Sequence, residues 1–287
     1  MSNTLVIGMY KTGTTIVASV VERSLPGATL YFEPRHVGFL EKLARATEPV
    51  VVKLIYDHWI HRPFLLNGII RGEAGFRPDK SVAIIRDPRD GMISALMYAA
   101  YQFVLEGAGR EQVDEWVEVI RAKEANPGKH SLIDLMENMN RVFKVSYPLD
   151  WIFDVFASYS AWLSDARDFV HVLSYEKFVA GDTTALAAYL GVKMKQTREV
   201  VPGLQRVSRT RGSGDWRKLM LPEDVGRWKP RYGEMLAAHG YTDWELRSAP
   251  LDPAEGSAYV MRIAEEAFRS RAQAPAKPNC ASGVREA

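Results

Sequence analysis

Cysteine, long apolar runs and surplus charge are all scarce in this chain, and each scarcity closes a class of explanation. Cysteine occurs once, as Cys280 near the C-terminus, so an internal disulfide framework is excluded and a reducing compartment fits. No apolar run reaches the roughly 18 residues that mark a membrane span. The N-terminus passes straight into a strand-like run, without a charged leader and apolar signal core. The 37 Lys and Arg against 35 Asp and Glu leave a net charge of +2. That balance provides no general polyanion surface, so no nucleic-acid partner is expected and any anion specificity must come from local clusters. Nothing repeats at a fixed period, which excludes solenoids and propellers. A soluble, cytoplasmic protein without a transmembrane segment is the expectation, and a hydrophobic fraction of 47% over 287 residues suffices for a sizeable core.

What is present begins at the N-terminus. In Thr4-Leu-Val-Ile-Gly-Met-Tyr-Lys11-Thr-Gly-Thr-Thr15 an apolar run of strand length enters a Gly-punctuated turn, and Ile16 to Ser24, apolar-rich with helical spacing, leaves it. A strand that meets a helix N-terminus through such a turn makes an anion site. The first helical N–H groups have no intrahelical partner, the helix dipole adds positive potential, and the glycines allow close backbone approach. The spacing resembles the P-loop of kinases and ATPases, yet Thr14 stands where that motif has lysine, and Lys11 lies inside the loop instead. Taken alone, an incidental Gly/Thr turn stays open.

Further along, Ala28 to His36 reads as a strand ending at Glu33-Pro34, with proline holding Glu33 extended at a strand end. Pro49 to Tyr56 and Ser81 to Ile85 are continuous apolar runs, the pattern of parallel strands covered on both faces. Lys53 interrupts the first of them and must surface at a strand end or find an anion. Arg86-Asp87-Pro88-Arg89-Asp90 follows the second and opens a helical stretch, a second basic strand-to-helix corner. Trp151 to Phe169 has helical spacing, a short strand ends at Ser174-Tyr175-Glu176, and a helix from about Thr183 closes on Gly191. Strands alternating with helices predict an α/β fold, three layers with a mostly parallel central sheet flanked by helices. The expected organisation is one domain over residues 1–270, with residues 105–150 shaping the acceptor site. Ala, Pro and polar residues over 271–287 predict a disordered tail.

Four separated motifs carry one resemblance. Lys11-Thr12-Gly13-Thr14-Thr15 looks like the 5′-phosphosulfate loop of sulfotransferases that use 3′-phosphoadenosine 5′-phosphosulfate (PAPS). Arg86-Asp-Pro-Arg-Asp-Gly-Met-Ile-Ser94 resembles their 3′-phosphate motif. Tyr175-Glu176, before the helix ending at Leu190-Gly191, is similar to their Tyr-Glu-Asp segment. Gly214-Asp215-Trp216, after Arg209, Arg211 and Gly212, looks like their C-terminal nucleotide loop. The resemblance implies a P-loop-like fold and PAPS as donor, with adenosine 3′,5′-bisphosphate as product and no metal. It makes Lys11 to Thr15, Arg86, Ser94, Tyr175, Arg209 or Arg211, Gly212 and Trp216 the nucleotide contacts. Arginine suits a phosphate because its planar fork donates twice.

The sequence departs from that pattern in two places. Arg211 replaces a glycine of the last loop, and Ile55 stands where soluble members carry a histidine base after the position of Lys53. Tyr31-Phe32-Glu33-Pro34, with His36 behind it, resembles the Phe-Glu-Pro segment of carbohydrate sulfotransferases and makes Glu33 the candidate base. Lys11 and Lys53 are then expected at the transferred group, and the expected acceptor is a hydroxyl of a carbohydrate or glycolipid, with a small-molecule alcohol or phenol as the alternative. His36 and His58 are alternatives for the base. His58-x-x-His61 lacks a third metal ligand nearby. Blander readings stay open beside these. Arg86, Asp87 and Arg89 could pair on the surface, Ser94 could bond its own helix, Trp216 could be a core anchor, and Glu33 could pair with Arg35 or cap the next helix.

Overall fold

The computed structural model describes residues 3–43, 45–195, 209 and 212–273. Its core is a five-stranded sheet in the order β2-β3-β1-β4-β5, built from β1 (Thr4–Gly8), β2 (Thr29–Phe32), β3 (Val50–Ile55), β4 (Lys80–Ile85) and β5 (His171–Ser174). Every pairing is parallel. The apolar runs explain this arrangement, because β1 and β3 are buried at every position and a parallel strand has helices on both faces. Leu5 and Ile7 join one face, packed on α4 (Pro88–Glu106), α6 (Leu132–Phe143) and α7 (Trp151–Ala166); Val6 joins the other, packed on α1 (Thr14–Ser24) and α9 (Thr184–Leu190). The expected three-layer α/β architecture is therefore present. β1 is central, and the chain moves outward to β2 on one side and to β4 and β5 on the other. The carboxyl ends of β1, β3 and β4 thus share the crevice where strand order reverses, the place where open α/β sheets bind ligands.

Around this sheet lie α2 (Val37–Leu43), α3 (Pro63–Ile70), α5 (Arg110–Ala125), α8 (Tyr175–Val179), α10 (Trp216–Leu219), α11 (Pro222–Ala238) and α12 (Ser257–Gln273). Val260, Ile263, Ala264 and Ala267 form the buried stripe of α12. That helix continues through Arg271 to Gln273, which the composition assigns to the tail. Arg271 Nη1 donates to the carbonyls of Val104 (2.7 Å) and Ala108 (2.9 Å), capping the C-terminal end of α4 with a cation. The rest of the tail, Cys280 included, lies outside the described residues, as does Arg211.

Glu33 also differs from expectation. The strand ends at Phe32, and Glu33 has φ 49, in the left-handed region rather than extended. Its N–H still donates to Lys53 O at 2.8 Å, so the ladder outweighs the local preference of a residue before proline.

Asp224 shows how the helical layer is fixed. It is wholly buried and accepts from three backbone N–H groups, Leu221 (2.8 Å), Leu132 (3.0 Å) and Ile133 (3.1 Å). One carboxylate thereby satisfies the first turns of both α6 and α11. Asp224→Ala is expected to lower the unfolding free energy by about 3 kcal/mol, since buried donors lose their acceptor. Urea denaturation followed by circular dichroism measures the loss, and Asp224→Asn should show a smaller one.

Candidate functional site

The first corner is the β1–α1 loop. Thr12 folds it back, with its N–H and hydroxyl both donating to Met9 O (3.2 and 2.7 Å). Lys11 and Gly13 have positive φ, 63 and 83. Glycine is required twice here: a Cβ on Gly8 would stand 2.6 Å from Thr12 Oγ1, and one on Gly13 would overlap the Tyr175 ring. Gly13 is the N-cap of α1 and no side chain caps that helix, so the first-turn N–H groups around Thr14 and Thr15 face the loop. Thr12 and Thr14 are buried and Thr15 is half-buried.

The second corner lies one strand away, at the β4–α4 junction. Arg86 is buried, donates from Nη1 to Lys11 O at 2.8 Å, and stacks its guanidinium 4.5 Å from the centroid of the Tyr175 ring. Its Nε is buried with no hydrogen-bond partner. Burial raises the Tyr175 hydroxyl pKa, while the charges of Arg86 and Arg209 lower it, so both arginines act at this ring. Ser94 is half-buried in the second turn of α4.

Asp87, Arg89 and Asp90 fasten the corner rather than forming an exposed pair. Asp87 caps α4 through the Arg89 N–H (2.9 Å) and grips the Arg89 side chain at 2.7 to 3.1 Å. The same guanidinium lies 3.8 Å from the Trp216 ring and 4.5 Å from Trp244. Asp90 accepts from the N–H groups of Gly214 (2.6 Å) and Trp216 (3.1 Å), which ties the C-terminal loop to the β4–α4 corner. Arg209 pairs with Asp215 at 2.6 Å, and its Nε is a second buried donor without a partner. Gly212 is half-buried beside them. Trp216 is buried under Arg89, so it anchors this corner. Glu176 ties the end of β5 to the second corner by accepting from the Asp87 N–H (2.9 Å) and the Ser174 hydroxyl (2.9 Å).

The third part lies beside the first corner, on β3. Lys53, 3% exposed in the middle of β3, finds its anion. Its Nζ donates to Glu33 Oε1 at 2.5 Å and to Thr15 Oγ1 at 2.8 Å, a bridge from the end of β2 to the start of α1. These three residues border a cavity of about 760 Å³ walled by Leu96, Tyr98, Phe103, Met136, Met139 and Trp151. Asp57 also lines it. This carboxylate accepts the Tyr10 N–H at 2.9 Å and burial raises its pKa. Of the candidate histidines, His58 borders the cavity, with its pKa lowered by burial and then by the Arg35 charge. His36 and His61 are exposed and do not line it. Among the described residues, no three His, Cys, Asp or Glu side chains converge as a metal site, and no helix is long and apolar enough to cross a membrane.

Sequence reasoning did not single out Asp57, Asp90 or Tyr10. Each acts through burial and a contact far along the chain, 47 residues from Tyr10 to Asp57 and 124 from Asp90 to Gly214.

No protein-family model matches the chain, and no curated protein sequence matches it. Among solved structures the chain is similar to mouse sulfotransferase SULT7A1 complexed with PAP, at 16% identity and a TM-score of 0.47, over 82% of this chain and 84% of that one.

The Asp90 carboxyl is pushed up from 3.8 to about 6, by burial first and then by Asp87, against Arg86 and the two N–H donors. A folded-state pKa above the unfolded one favours the protonated fold, so this group's contribution to stability is fully present below pH 3.8 and is lost as pH rises through 6. Relative to Asp90→Asn, the wild-type unfolding free energy should fall by roughly 1.4 kcal/mol per pH unit across that window and level off above it. Denaturant titrations of both proteins from about pH 4 to about pH 8 cover most of that window and the plateau above it.

Proposed function

We propose that the chain is a sulfotransferase that moves a sulfuryl group from PAPS to an acceptor hydroxyl. Arg86 carries this reading. A buried guanidinium with one nitrogen committed to the loop backbone and another without a partner is poised for an anion. It stands beside a helix N-terminus that no side chain caps. Two anion corners on neighbouring strand ends suit a nucleotide that is anionic at both ends. In this reading the Gly13 to Thr15 N–H groups and the Thr14 and Thr15 hydroxyls hold the 5′-phosphate. Arg86, Ser94 and an arginine of the last loop, Arg209 or Arg211, hold the 3′-phosphate.

PAPS supplies an activated sulfuryl group, and the residues of this chain direct its transfer. Glu33 takes the acceptor hydroxyl proton as the oxygen–sulfur bond forms. Lys53, already fixed between Glu33 and Thr15, faces the transferring oxygens. Lys11 donates to the bridging oxygen as the bond to the leaving phosphate breaks and negative charge grows there. A sulfuryl group carries less charge than a γ-phosphoryl group, so lysine and backbone N–H groups can meet the need that kinases meet with Mg²⁺.

The cavity supports an acceptor with an apolar body, a phenol or hydrophobic alcohol, ahead of a carbohydrate. Leu96, Phe103, Met136 and Met139 offer a sugar's hydroxyls no partners. Purified protein should transfer radiolabel from PAPS to members of a phenol and alcohol panel, with saccharides as the comparison arm. Glu33→Gln should lower kcat by about a hundredfold or more while affinity for adenosine 3′,5′-bisphosphate stays within roughly twofold. Full activity of Glu33→Gln would remove Glu33 as the base. Phosphoryl transfer from Mg²⁺-ATP would make the protein a kinase, and bisphosphate binding without turnover on any acceptor would make it a binding module.

A further inference from the structure

Lys11 is gripped at both ends. Its carbonyl accepts from Arg86 at 2.8 Å, and its Nζ lies 3.5 Å from the centroid of the Tyr98 ring and 5.5 Å from that of Tyr10. Between these grips the backbone is held at φ 63, a conformation unfavourable for lysine that persists only where its surroundings enforce it. Tyr98 is well placed to enforce it. It projects from α4, the helix that begins directly after the Arg86 turn, and it is half-buried between two further rings, with Tyr101 at 5.0 Å and Tyr10 at 6.4 Å. The same ring forms part of the wall of the 760 Å³ cavity.

The chemistry of the grip matters. A carboxylate would hold an ammonium by neutralising it, as Glu33 does for Lys53. An aromatic face attracts the cation through its quadrupole and carries no net charge to cancel it. A lysine stem left to itself samples many rotamers, and fixing it at the moment of binding costs side-chain entropy. A ring on a rigid helix settles that cost in advance.

We propose that Tyr98 is a positioning residue. Its ring face sets the Lys11 ammonium at the boundary between the anion loop and the acceptor cavity, so that one cavity wall fixes the cation on which departure of the leaving group depends. The kinetic consequence rests on the sulfuryl-transfer reading above; the ring-to-ammonium contact does not.

Two measurements on Tyr98→Phe and Tyr98→Leu test this. Kinetically, Phe keeps the ring face and should stay within roughly twofold of wild type. Leu should lose about tenfold in kcat, with KM for PAPS changed by no more than about twofold. Spectroscopically, in protein carrying ¹³C-labelled lysine, the Lys11 ε-methylene signal, assigned by its loss in Lys11→Met, should be shifted upfield by the ring. The shift should persist in Tyr98→Phe and vanish in Tyr98→Leu. Equal activity of the Leu variant and wild type, or an equal loss in Phe and Leu, overturns the proposal. If wild type turns over no PAPS, the sulfuryl-transfer reading fails and the methylene signal alone decides: an upfield shift lost only in Leu supports Tyr98, and no shift in wild type overturns it.

Discussion

A lysine ammonium in the middle of a buried parallel strand is the constraint around which this site is arranged. Lys53 is almost wholly buried, and an unpaired charge there would cost several kcal/mol. The chain meets that cost with Glu33 from the end of β2 and Thr15 from the first turn of α1. The pair therefore does more than neutralise a charge. It locks the end of the edge strand to the neighbouring strand and to the anion loop, and it places a carboxylate, an ammonium and a hydroxyl on the border of an apolar cavity.

Strain gathers at the same place. Lys11 and Glu33, both carriers of proposed chemistry, have left-handed backbones. Each is held from outside its own segment, Lys11 by Arg86 and Tyr98, Glu33 by the carbonyl and ammonium of Lys53. Strained residues survive where surrounding contacts over-determine them. Here those contacts come from β3, β4 and α4, so the positions of the two reactive side chains are set by the sheet edge rather than by the loops that bear them.

Much of the scaffold was legible because its signals are local. Apolar runs of strand length announced β1, β3 and β4, and a Gly-punctuated turn after β1 announced an anion corner. Arg86-Asp-Pro-Arg announced a second corner, although its internal pairing is buried rather than superficial. Gly191 closes α9 in the left-handed conformation that its position implied. The rest depended on distant partners. Proline after Glu33 implied an extended residue, yet the hydrogen bond to Lys53 O turned it. Asp57 and Asp90 have roles that come from burial and from backbone N–H groups of other segments. The Ala-rich composition around Arg271 suggested a tail, but α12 keeps its turn there because the arginine closes the end of α4.

Calorimetric titration of the metal-free protein with adenosine 3′,5′-bisphosphate, with ADP and Mg²⁺-ATP as comparisons, tests the two-corner site most directly. The account predicts tight binding of the bisphosphate, weaker binding of ADP, and a loss of roughly 1.5 to 3 kcal/mol in Arg86→Ala, the worth of a charged hydrogen bond. A preference for Mg²⁺-ATP, or bisphosphate affinity unchanged by Arg86→Ala, would contradict it.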